Sequence, residues 1–191
     1  MRVPSLKTTD VTLRPLRVSD APAFCRWLQD PEVTRFLNRH EDPPTLREER
    51  EYLRDEQRRA NHAQWGIVVE RKLVGTVALD KIDREHRRAV YGIFIGNPRY
   101  WGQGVGTAAG RLAVGWGFRH LRLHRIELRA FAYNIRGIKS YQKIGFHIEG
   151  RLRDHLYRDR VYHDELVMGV LDKEFSRPKS NRTSYGKGKI R

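Results

Sequence analysis

The alternation of apolar and polar residues along this chain predicts a mixed α/β domain. Apolar runs bounded by turn residues indicate strands at 10–16, 63–70, 73–82, 88–96, 125–133, 146–156 and 162–171. Helical spacing and capping residues indicate helices at about 20–30, 45–59, 107–120 and 135–144, and a short turn around Val33. Because a helix connects the strands at 88–96 and 125–133, these strands should be parallel neighbours with a ligand site at their carboxyl ends.

The strand at 88–96 and the loop after it carry the clearest functional signal. Residues 89–95 are apolar on both faces, which is typical of a strand in the middle of a sheet. Gly102, Gly104 and Gly106 then alternate just before the predicted helix. Without Cβ atoms the backbone N–H groups of this loop can converge on one point, where the helix dipole adds positive potential. The segment therefore predicts a site for the phosphates of a cofactor.

Two other glycine-rich motifs fit this loop less well. A P-loop would end in Gly-Lys-Ser or Gly-Lys-Thr, and the lysine is absent. A dinucleotide fingerprint is matched by Gly104, Gly106 and Ala109, with Glu127 at about the right distance for a ribose-binding acid. In that fold, however, the glycines follow the strand almost directly, whereas residues 97–101 intervene here. Glu127 also opens a strand rather than ending one.

A second segment helps to identify the kind of phosphate site. Residues 134–146 read NIRGIKSYQKIGF, a capped helix that ends at a glycine. The run YWGQGVGT at 100–107, together with the pattern N-x6-Y-x-K-x-G-F that starts at Asn134, resembles the acetyl-CoA-binding motifs of the GNAT superfamily of N-acetyltransferases. The resemblance covers roughly residues 10–175. Its most similar branch contains the ribosomal-protein N-terminal acetyltransferases and the spermidine acetyltransferases.

The resemblance implies a GNAT fold: a mixed, mostly antiparallel, twisted sheet of about seven strands with a splayed central parallel pair, flanked by about four helices. It implies that the pantetheine arm of acetyl-CoA lies between the splayed strands and that its pyrophosphate binds the N–H groups of the glycine loop. A loop at 35–44 would cover the acceptor groove. The cofactor-binding residues implied in this way are Ile93, Phe94, Ile95, Trp101, Gly102, Gln103, Gly104, Val105, Gly106, Thr107, Asn134 and Lys143. Trp101 stands where the family usually has Gln or Arg, although the similar branch often has an aromatic residue there.

Acetyl transfer to an amine requires a neutral amine, a polarised thioester carbonyl and a stabilised thiolate. The resemblance implies that Tyr141 serves the departing thiolate, while backbone N–H groups near Phe94 are candidates for the carbonyl. Many relatives carry a glutamate base at the position of Val90, so no base is visible at the expected place. Glu127 on the neighbouring strand is the candidate catalytic substitute. Further candidates, each acting through water and each also explained as a surface or ion-pair residue, are Asp83, Glu85 and His124.

The composition adds a strong positive charge. The chain has 38 Lys and Arg against 23 Asp and Glu, a formal net charge of +15 at pH 7. We expect residues 1–175 to form the acetyltransferase domain and residues 176–191, with six basic and no acidic residues, to form a flexible tail. A basic tail on a basic body suits weak electrostatic association with RNA or the ribosome, but a solvated arginine-rich surface explains it equally well.

Several other classes of protein and site are disfavoured by the sequence. No apolar run approaches the roughly 18 residues of a membrane span. The first ten residues lack the apolar core of a signal peptide, and Cys25 is the single cysteine. The histidines do not combine with other donors at ligand spacing. We therefore expect a cytoplasmic protein, monomeric or homodimeric, without a disulfide, a metal site or a membrane partner.

The missing base and the charge both bear on the acceptor. An α-amine with a pKa of about 8 is neutral in roughly a tenth of molecules at pH 7, whereas a lysine-type amine, at about 10.4, is neutral in under ~0.1%. The difference corresponds to about 3.5 kcal/mol of base catalysis, and a positive body repels polycations. The sequence therefore predicts an acetyl-CoA-dependent transferase acting on a protein or peptide N-terminal amine. Its alternatives are a polyamine or aminoglycoside acetyltransferase and a non-catalytic acetyl-CoA-binding module tethered to RNA.

Overall fold

The computed structural model describes residues 1, 3–37 and 42–175. The predicted tail and part of the loop at 35–44 therefore lie outside the described residues. Within these residues the strands are β1 (Leu6–Lys7), β2 (Thr12–Pro15), β3 (Ala63–Val69), β4 (Lys72–Asp83), β5 (Arg88–Ile95), β6 (Arg125–Phe131), β7 (His147–Arg158) and β8 (Val161–Leu171). The α-helical segments in the same part of the chain are α1 (Ala21–Leu28), α2 (Pro31–Thr34), α3 (Leu46–Arg58), α4 (Val105–Leu121), α5 (Ile135–Ile144) and α6 (Asp172–Phe175).

All eight strands belong to one sheet in the order β1-β2-β3-β4-β5-β6-β8-β7. Every neighbouring pair is antiparallel except β5 and β6, which are parallel and joined by α4. The predicted fold class is thus confirmed, with eight strands rather than about seven and six helical segments rather than about four. The additional strand β1 pairs with β2 through Leu6 and Leu13. The strand predicted at the sheet edge, β2, is therefore not at the edge, because β1 lies outside it.

The two parallel strands are paired over only part of their length. Their register contains three residue pairs, the last of which joins Val90 and Glu127. Beyond this row β5 continues to Ile95 and β6 to Phe131 without pairing to each other, although β5 stays paired with β4 as far as Gly75. The sheet therefore opens into a wedge between β5 and β6, as predicted. Backbone groups of β5 that point into the wedge have no strand to bind.

The sheet has two covered faces. The back face carries Ala89 and Tyr91 of β5 and packs against α4 and α5; its core includes the edge-to-face pair of Trp65 and Trp116, whose centroids are 5.0 Å apart. The front face carries Val90, Gly92 and Phe94 of β5 and is partly covered by α1, α2 and α3. There Phe94 meets two aromatic rings of α1, those of Phe24 at 5.8 Å and Trp27 at 6.0 Å. Each fully buried large side chain contributes about 1.5–3 kcal/mol, so both faces stabilise β5.

Local signals explain where the helices near the site begin and end. Thr45 and Glu48 form the predicted capping box of α3, with reciprocal bonds of 3.3 Å and 2.8 Å. Gly145 ends α5 with a φ of 130°, a backbone conformation that favours glycine. The predicted short turn around Val33 is α2, which ends at Thr34, so Phe36 lies beyond it. None of the helices in the described part of the chain combines the length and apolar content needed to cross a lipid bilayer.

Candidate active site

The first turn of α4 presents backbone donors that no side chain of the described residues caps. Gly104 is the N-cap residue, with a φ of 81°, and it makes no side-chain capping bond. Gly102 has a φ of 75°, and a Cβ at either glycine would meet nothing within 4 Å. The N–H groups of residues 105–107 precede the first intrahelical bond and so have no partner within the helix. Together with the helix dipole they form an anion-binding site.

The small size of Gly106 leaves space beside these donors. Its φ lies outside the region that favours glycine, and a Cβ there would meet Ser140, Ile93 and Ile95 only at ordinary contact distances of 3.8–3.9 Å. The protein itself therefore tolerates a larger residue. All three neighbours line the cavity described next, so the missing Cβ enlarges that cavity.

A cavity of about 570 Å³ joins the wedge, the first turn of α4 and the inner face of α5. Of the predicted cofactor-binding residues, those that line it are Ile93, Phe94, Ile95, Trp101, Gly102, Gly104, Val105, Gly106, Thr107, Asn134 and Lys143. Gln103 does not line it, and its side chain donates to the carbonyl oxygen of Arg99 at 2.6 Å. The described lining residues include Arg136, Lys139 and Lys143 but no Asp or Glu. The cavity therefore favours an anionic ligand with an apolar arm.

Tyr141 lines the same cavity from α5. Its ring packs edge-on against Tyr91 and Phe146, with centroids 6.1 Å and 6.4 Å away. Burial raises the pKa of Tyr141 to about 12, so its hydroxyl stays protonated at neutral pH. No side chain or backbone group of the described residues is hydrogen-bonded to this hydroxyl, which leaves it free to donate to a ligand.

Trp101 and Arg136 cover the cavity beside the glycine-rich loop that precedes α4. The indole Nε1 of Trp101 donates to the carbonyl oxygen of Ile95 at 2.8 Å, which ties the loop to the end of β5. The guanidinium carbon of Arg136 lies 3.9 Å from the centroid of a Trp101 ring and 5.7 Å from that of Phe36. The motifs did not identify Arg136 and Phe36, because their roles depend on packing between elements far apart in sequence.

The backbone after α2 is anchored to the sheet next to this cover. The hydroxyl of Tyr133 donates to the carbonyl oxygen of Arg35 at 2.8 Å. Nη1 of Arg158, at the end of β7, donates at 3.0 Å to the carbonyl oxygens of both Arg35 and Leu37. These bonds hold Phe36 and Leu37 against the cavity that they line.

Asn134 and Lys143 lie at opposite ends of α5. Asn134 is the N-cap residue, and its Oδ1 accepts a hydrogen bond from the N–H of Gly137 at 3.0 Å. The predicted cap of this helix is therefore present, and the same residue lines the cavity. Lys143 is exposed at the rim, where its ammonium group can attract an anion without the cost of burial.

The candidate bases lie outside the lining of the cavity. Glu127 accepts a bond of 3.0 Å from Nε of Arg125, whose guanidinium also binds Glu149 and thereby lowers the pKa of Glu149. Asp83 lies at the other end of β5 from the wedge, where the backbone N–H of His86 lowers its pKa. Glu85, in the turn between β4 and β5, and His124, just before β6, lie at that same end.

The sequence is similar to those of known acetyltransferases. A family model described as an acetyltransferase (GNAT) domain matches residues 10–147. "Uncharacterized N-acetyltransferase p20" of Bacillus licheniformis is 29% identical over 176 residues, 90% of this chain and 98% of that protein. "Putative ribosomal N-acetyltransferase YdaF" of Bacillus subtilis is 28% identical over 171 residues, 86% and 93% of the two chains. Spermidine N(1)-acetyltransferase of Escherichia coli K12 is 34% identical over 101 residues, 53% and 54% of the two chains.

The fold leads to the same family. A solved structure described as a probable acetyltransferase matches with a TM-score of 0.80 at 28% identity, covering 89% of this chain and 98% of that one. The uncapped amides of α4, the wedge and the apolar cavity fit a donor that has phosphates at one end and an extended arm. Members of the matching family use acetyl-CoA as that donor. The chain therefore belongs to the GNAT family of acetyltransferases and is an acetyl-CoA-dependent acyltransferase.

Proposed function

We propose that this protein acetylates the N-terminal α-amine of a protein or peptide. One observation carries the assignment of the donor site: the free amides of α4, the wedge beside β5 and the hydroxyl of Tyr141 all border one cavity. Acetyl-CoA supplies an activated acetyl thioester on a long arm with phosphates at its far end. In the cavity, the free amides of α4 correspond to the phosphates, the wedge to the long arm, and the hydroxyl of Tyr141 to the thioester.

Different parts of the chain would hold different parts of the donor. The N–H groups of residues 103–107 bind the pyrophosphate, with Lys143 adding positive charge at the rim. The unpaired backbone edge of β5 from Tyr91 to Ile95 binds the amides of the extended arm as another strand would. Trp101 and Asn134 border that arm. A backbone N–H near Phe94 polarises the thioester carbonyl.

Tyr141 would stabilise the departing sulfur by donating a hydrogen bond. A full transfer of its proton is unfavourable, because its pKa is about 12, whereas that of an ordinary thiol is about 8.5. A hydrogen bond to a developing thiolate requires no such transfer, and it is stronger in a site from which water is excluded. Tyr141 is thus a donor that remains protonated throughout the cycle.

The charge of the cavity supports an N-terminal acceptor over a polycation. Three of the described residues that line the donor cavity are basic and none is acidic, so close to the bound donor an acceptor with several ammonium groups is repelled more than one with a single α-amine. The relative named as a ribosomal N-acetyltransferase matches over 86% of this chain. The relative named as a spermidine acetyltransferase matches over 53% of the chain. That relative makes a polyamine the second candidate acceptor.

An acceptor panel tests the proposal. Purified protein is incubated with acetyl-CoA and, separately, with peptides of varied N-terminal residue, spermidine, spermine and an aminoglycoside, and the release of free thiol is measured. We expect kcat/KM for the best peptide to exceed that for every polycation by at least about tenfold. Faster acetylation of spermidine than of any peptide would instead support the second candidate.

The variant Tyr141→Phe separates an enzyme from a binding module. We expect kcat to fall by about 10²-fold, the usual scale for a transition-state hydrogen bond, while the Kd for acetyl-CoA measured by calorimetry changes less than about threefold. Tyr162→Phe removes a hydroxyl from a side chain that is 62% exposed and serves as the matched control. An unchanged kcat in Tyr141→Phe would contradict the proposed role of this residue.

A further inference from the structure

Val90 lies between two carboxylate side chains. In the register of the sheet its partners are Asp80 of β4 and Glu127 of β6. Side chains paired in this way point to the same face, with Cβ atoms about 4.5–5.5 Å apart. This row is also the last at which β5 and β6 are paired, so it borders the wedge. Both carboxylates therefore lie next to Val90, the position at which many relatives carry a glutamate base.

Gly92 leaves room for an acceptor next to this row. It is the next residue of β5 on the front face, and it is exposed although β5 lies inside the sheet. A Cβ at Gly92 would meet nothing within 4 Å. Diagonal neighbours on one face of a sheet are about 7–8 Å apart. One water molecule can therefore connect an amine above Gly92 with the carboxylate of Asp80, whose side chain is 34% exposed.

Asp80 belongs to a closed group of charged side chains. His62 lies between two carboxylates, with Nδ1 3.2 Å from Oδ1 of Asp80 and Nε2 2.8 Å from Oε2 of Glu56. Arg59 donates to Glu56 at 2.8 Å and to Asp80 at 2.9 Å. With a neutral imidazole the group has one uncompensated negative charge, which one added proton removes. Glu56 and His62 are more than nine-tenths buried, so water screens the charges of this group only weakly.

The backbone beside Asp80 is adapted to hold its side chain. The pairing of β4 with β5 is irregular between Asp80 and Asp83, and Lys81 has a φ of 48°. The N–H of Lys81 donates to Oδ1 of Asp80 at 2.8 Å. A bulge of this kind changes the direction of a neighbouring side chain, and a strained non-glycine residue often marks a functional position.

On the basis of the proposed function, we propose that Asp80 is the base that removes a proton from the acceptor ammonium, through one water. His62, Glu56 and Arg59 act as positioning residues that share the resulting charge. Glu127 is the other carboxylate in this row; it is paired with Arg125, which also binds Glu149.

The protons and bonds of this step balance. The ammonium of the acceptor gives one proton through water to Asp80, which releases it to solvent after turnover. The neutral nitrogen forms the new C–N bond to the acetyl group as the C–S bond breaks, and the electron pair of the C–S bond leaves with the sulfur. The second proton of the nitrogen passes through solvent to the sulfur, and coenzyme A leaves as the thiol.

The variant Asp80→Asn tests this role through its dependence on pH. We measure kcat/KM from pH 6 to 9 with the amine that the wild type acetylates fastest. For an α-amine we expect a loss of about 100-fold at pH 6.5, shrinking to less than about tenfold at pH 9, where the amine is mostly neutral by itself. A purely structural role would give a loss that does not change with pH.

The groups around Asp80 do not obscure this profile. Burial and the Glu56 carboxylate raise the pKa of Tyr52 to about 12, so Tyr52 stays neutral throughout the measurement, and Val90 is uncharged. Five other charged or titratable groups face Asp80. Glu56 and Arg59 come from α3 and its C-terminal end, His62 from the segment before β3, Lys81 from the same strand, and Glu127 from the far side of Val90. The variant His62→Gln should show a smaller, pH-dependent loss, because it removes the imidazole but leaves Asp80 in place.

Asp55→Asn is the matched control, because it makes the same change on α3 at a side chain that is 74% exposed. We expect it to keep wild-type kcat/KM at every pH, and we expect Asp80→Asn to bind acetyl-CoA with wild-type Kd. A pH-dependent loss in Glu127→Gln but not in Asp80→Asn, or equal profiles for Asp80→Asn and Asp55→Asn, would overturn the assignment while leaving the proposed function intact. If the wild type acetylates no amine, both proposals fail.

Discussion

Tyr91 has a hydroxyl group in the core without a hydrogen-bond partner among the described residues. Its side chain is 4% exposed, and its ring packs against those of Tyr141 and Phe146. Burial, with a smaller contribution from Tyr141, raises the pKa of Tyr91 well above its usual value of 10. An unsatisfied buried hydroxyl costs about 1–3 kcal/mol, so this group lowers the stability of the fold.

The variant Tyr91→Phe should therefore be more stable than the wild type. At pH 7 we expect the free energy of unfolding to rise by about 1 kcal/mol. Above pH 10 the gain should grow by about 1.4 kcal/mol per pH unit, because the unfolded tyrosine loses its proton there and the folded one keeps it. Urea denaturation at pH 7, 10 and 11 measures both effects. Equal stability of the two proteins at all three values would show that the hydroxyl is satisfied, for example by water.

At the scale of the element, the first turn of α4 combines two kinds of glycine. Gly102 and Gly104 have positive φ angles and shape the loop. Gly106 has a backbone that any residue can adopt and neighbours that would tolerate a Cβ. The fold therefore does not require glycine at this position, and we infer that the space beside Gly106 accommodates the donor.

Gly106→Ala should separate stability from affinity. Because alanine favours a helix over glycine, we expect the free energy of unfolding without ligand to rise by about 0.5–1 kcal/mol. We expect the Kd for acetyl-CoA to increase at least about tenfold, because the new methyl group occupies the cavity. Gly115→Ala, also in α4, would meet only the flexible end of Arg119 and is the control. Thermal unfolding and calorimetry measure the two quantities; equal affinity in both variants would contradict the proposed use of this space.

The long elements could be predicted from the sequence because each has its own local signal. The strands β3 to β8 and the helices α3 to α5 begin and end within a few residues of their predicted bounds. The segments β1 and α6 were missed because two and four residues are too few to show a period. The pairing of β1 with β2 depends on sheet register, which no local pattern specifies.

The candidate site was predictable where its residues form a motif and not where register brings them together. The glycine loop and Tyr141 belong to continuous segments, and the cavity contains nearly all of their predicted residues. Asp80, Val90 and Glu127 belong to three different strands and become neighbours only through two different strand pairings. Asp80 could not be identified as a candidate base before that register was known.

At the scale of the whole molecule, the charge is unevenly distributed. The formal net charge is +15, and residues 176–191 contribute six of the positive charges. The cavity also has basic but no acidic residues among its described lining. We infer that the tail provides electrostatic attraction to a large polyanion such as RNA, while the domain alone binds the donor.

Deletion of residues 176–191 tests this division. We expect the Kd for acetyl-CoA and the melting temperature to stay at the values of the full chain. We expect affinity for a 20-nucleotide single-stranded RNA to fall, and the slope of log K against log salt to decrease by up to about 4, because each phosphate that the tail neutralises adds about 0.7 to the slope. Fluorescence anisotropy between 50 and 200 mM salt measures it. An unchanged slope would show that the tail does not bind RNA.

In the proposed binding mode, the wedge between β5 and β6 offers the donor main-chain groups rather than a set of particular side chains. Amides of the main chain persist whatever residues occupy β5, provided that the two strands still diverge. Residues on the front face can therefore be substituted to bind another amine, while coenzyme A still binds the same main-chain groups. Evolution can exchange the acceptor of such a protein while its donor stays the same.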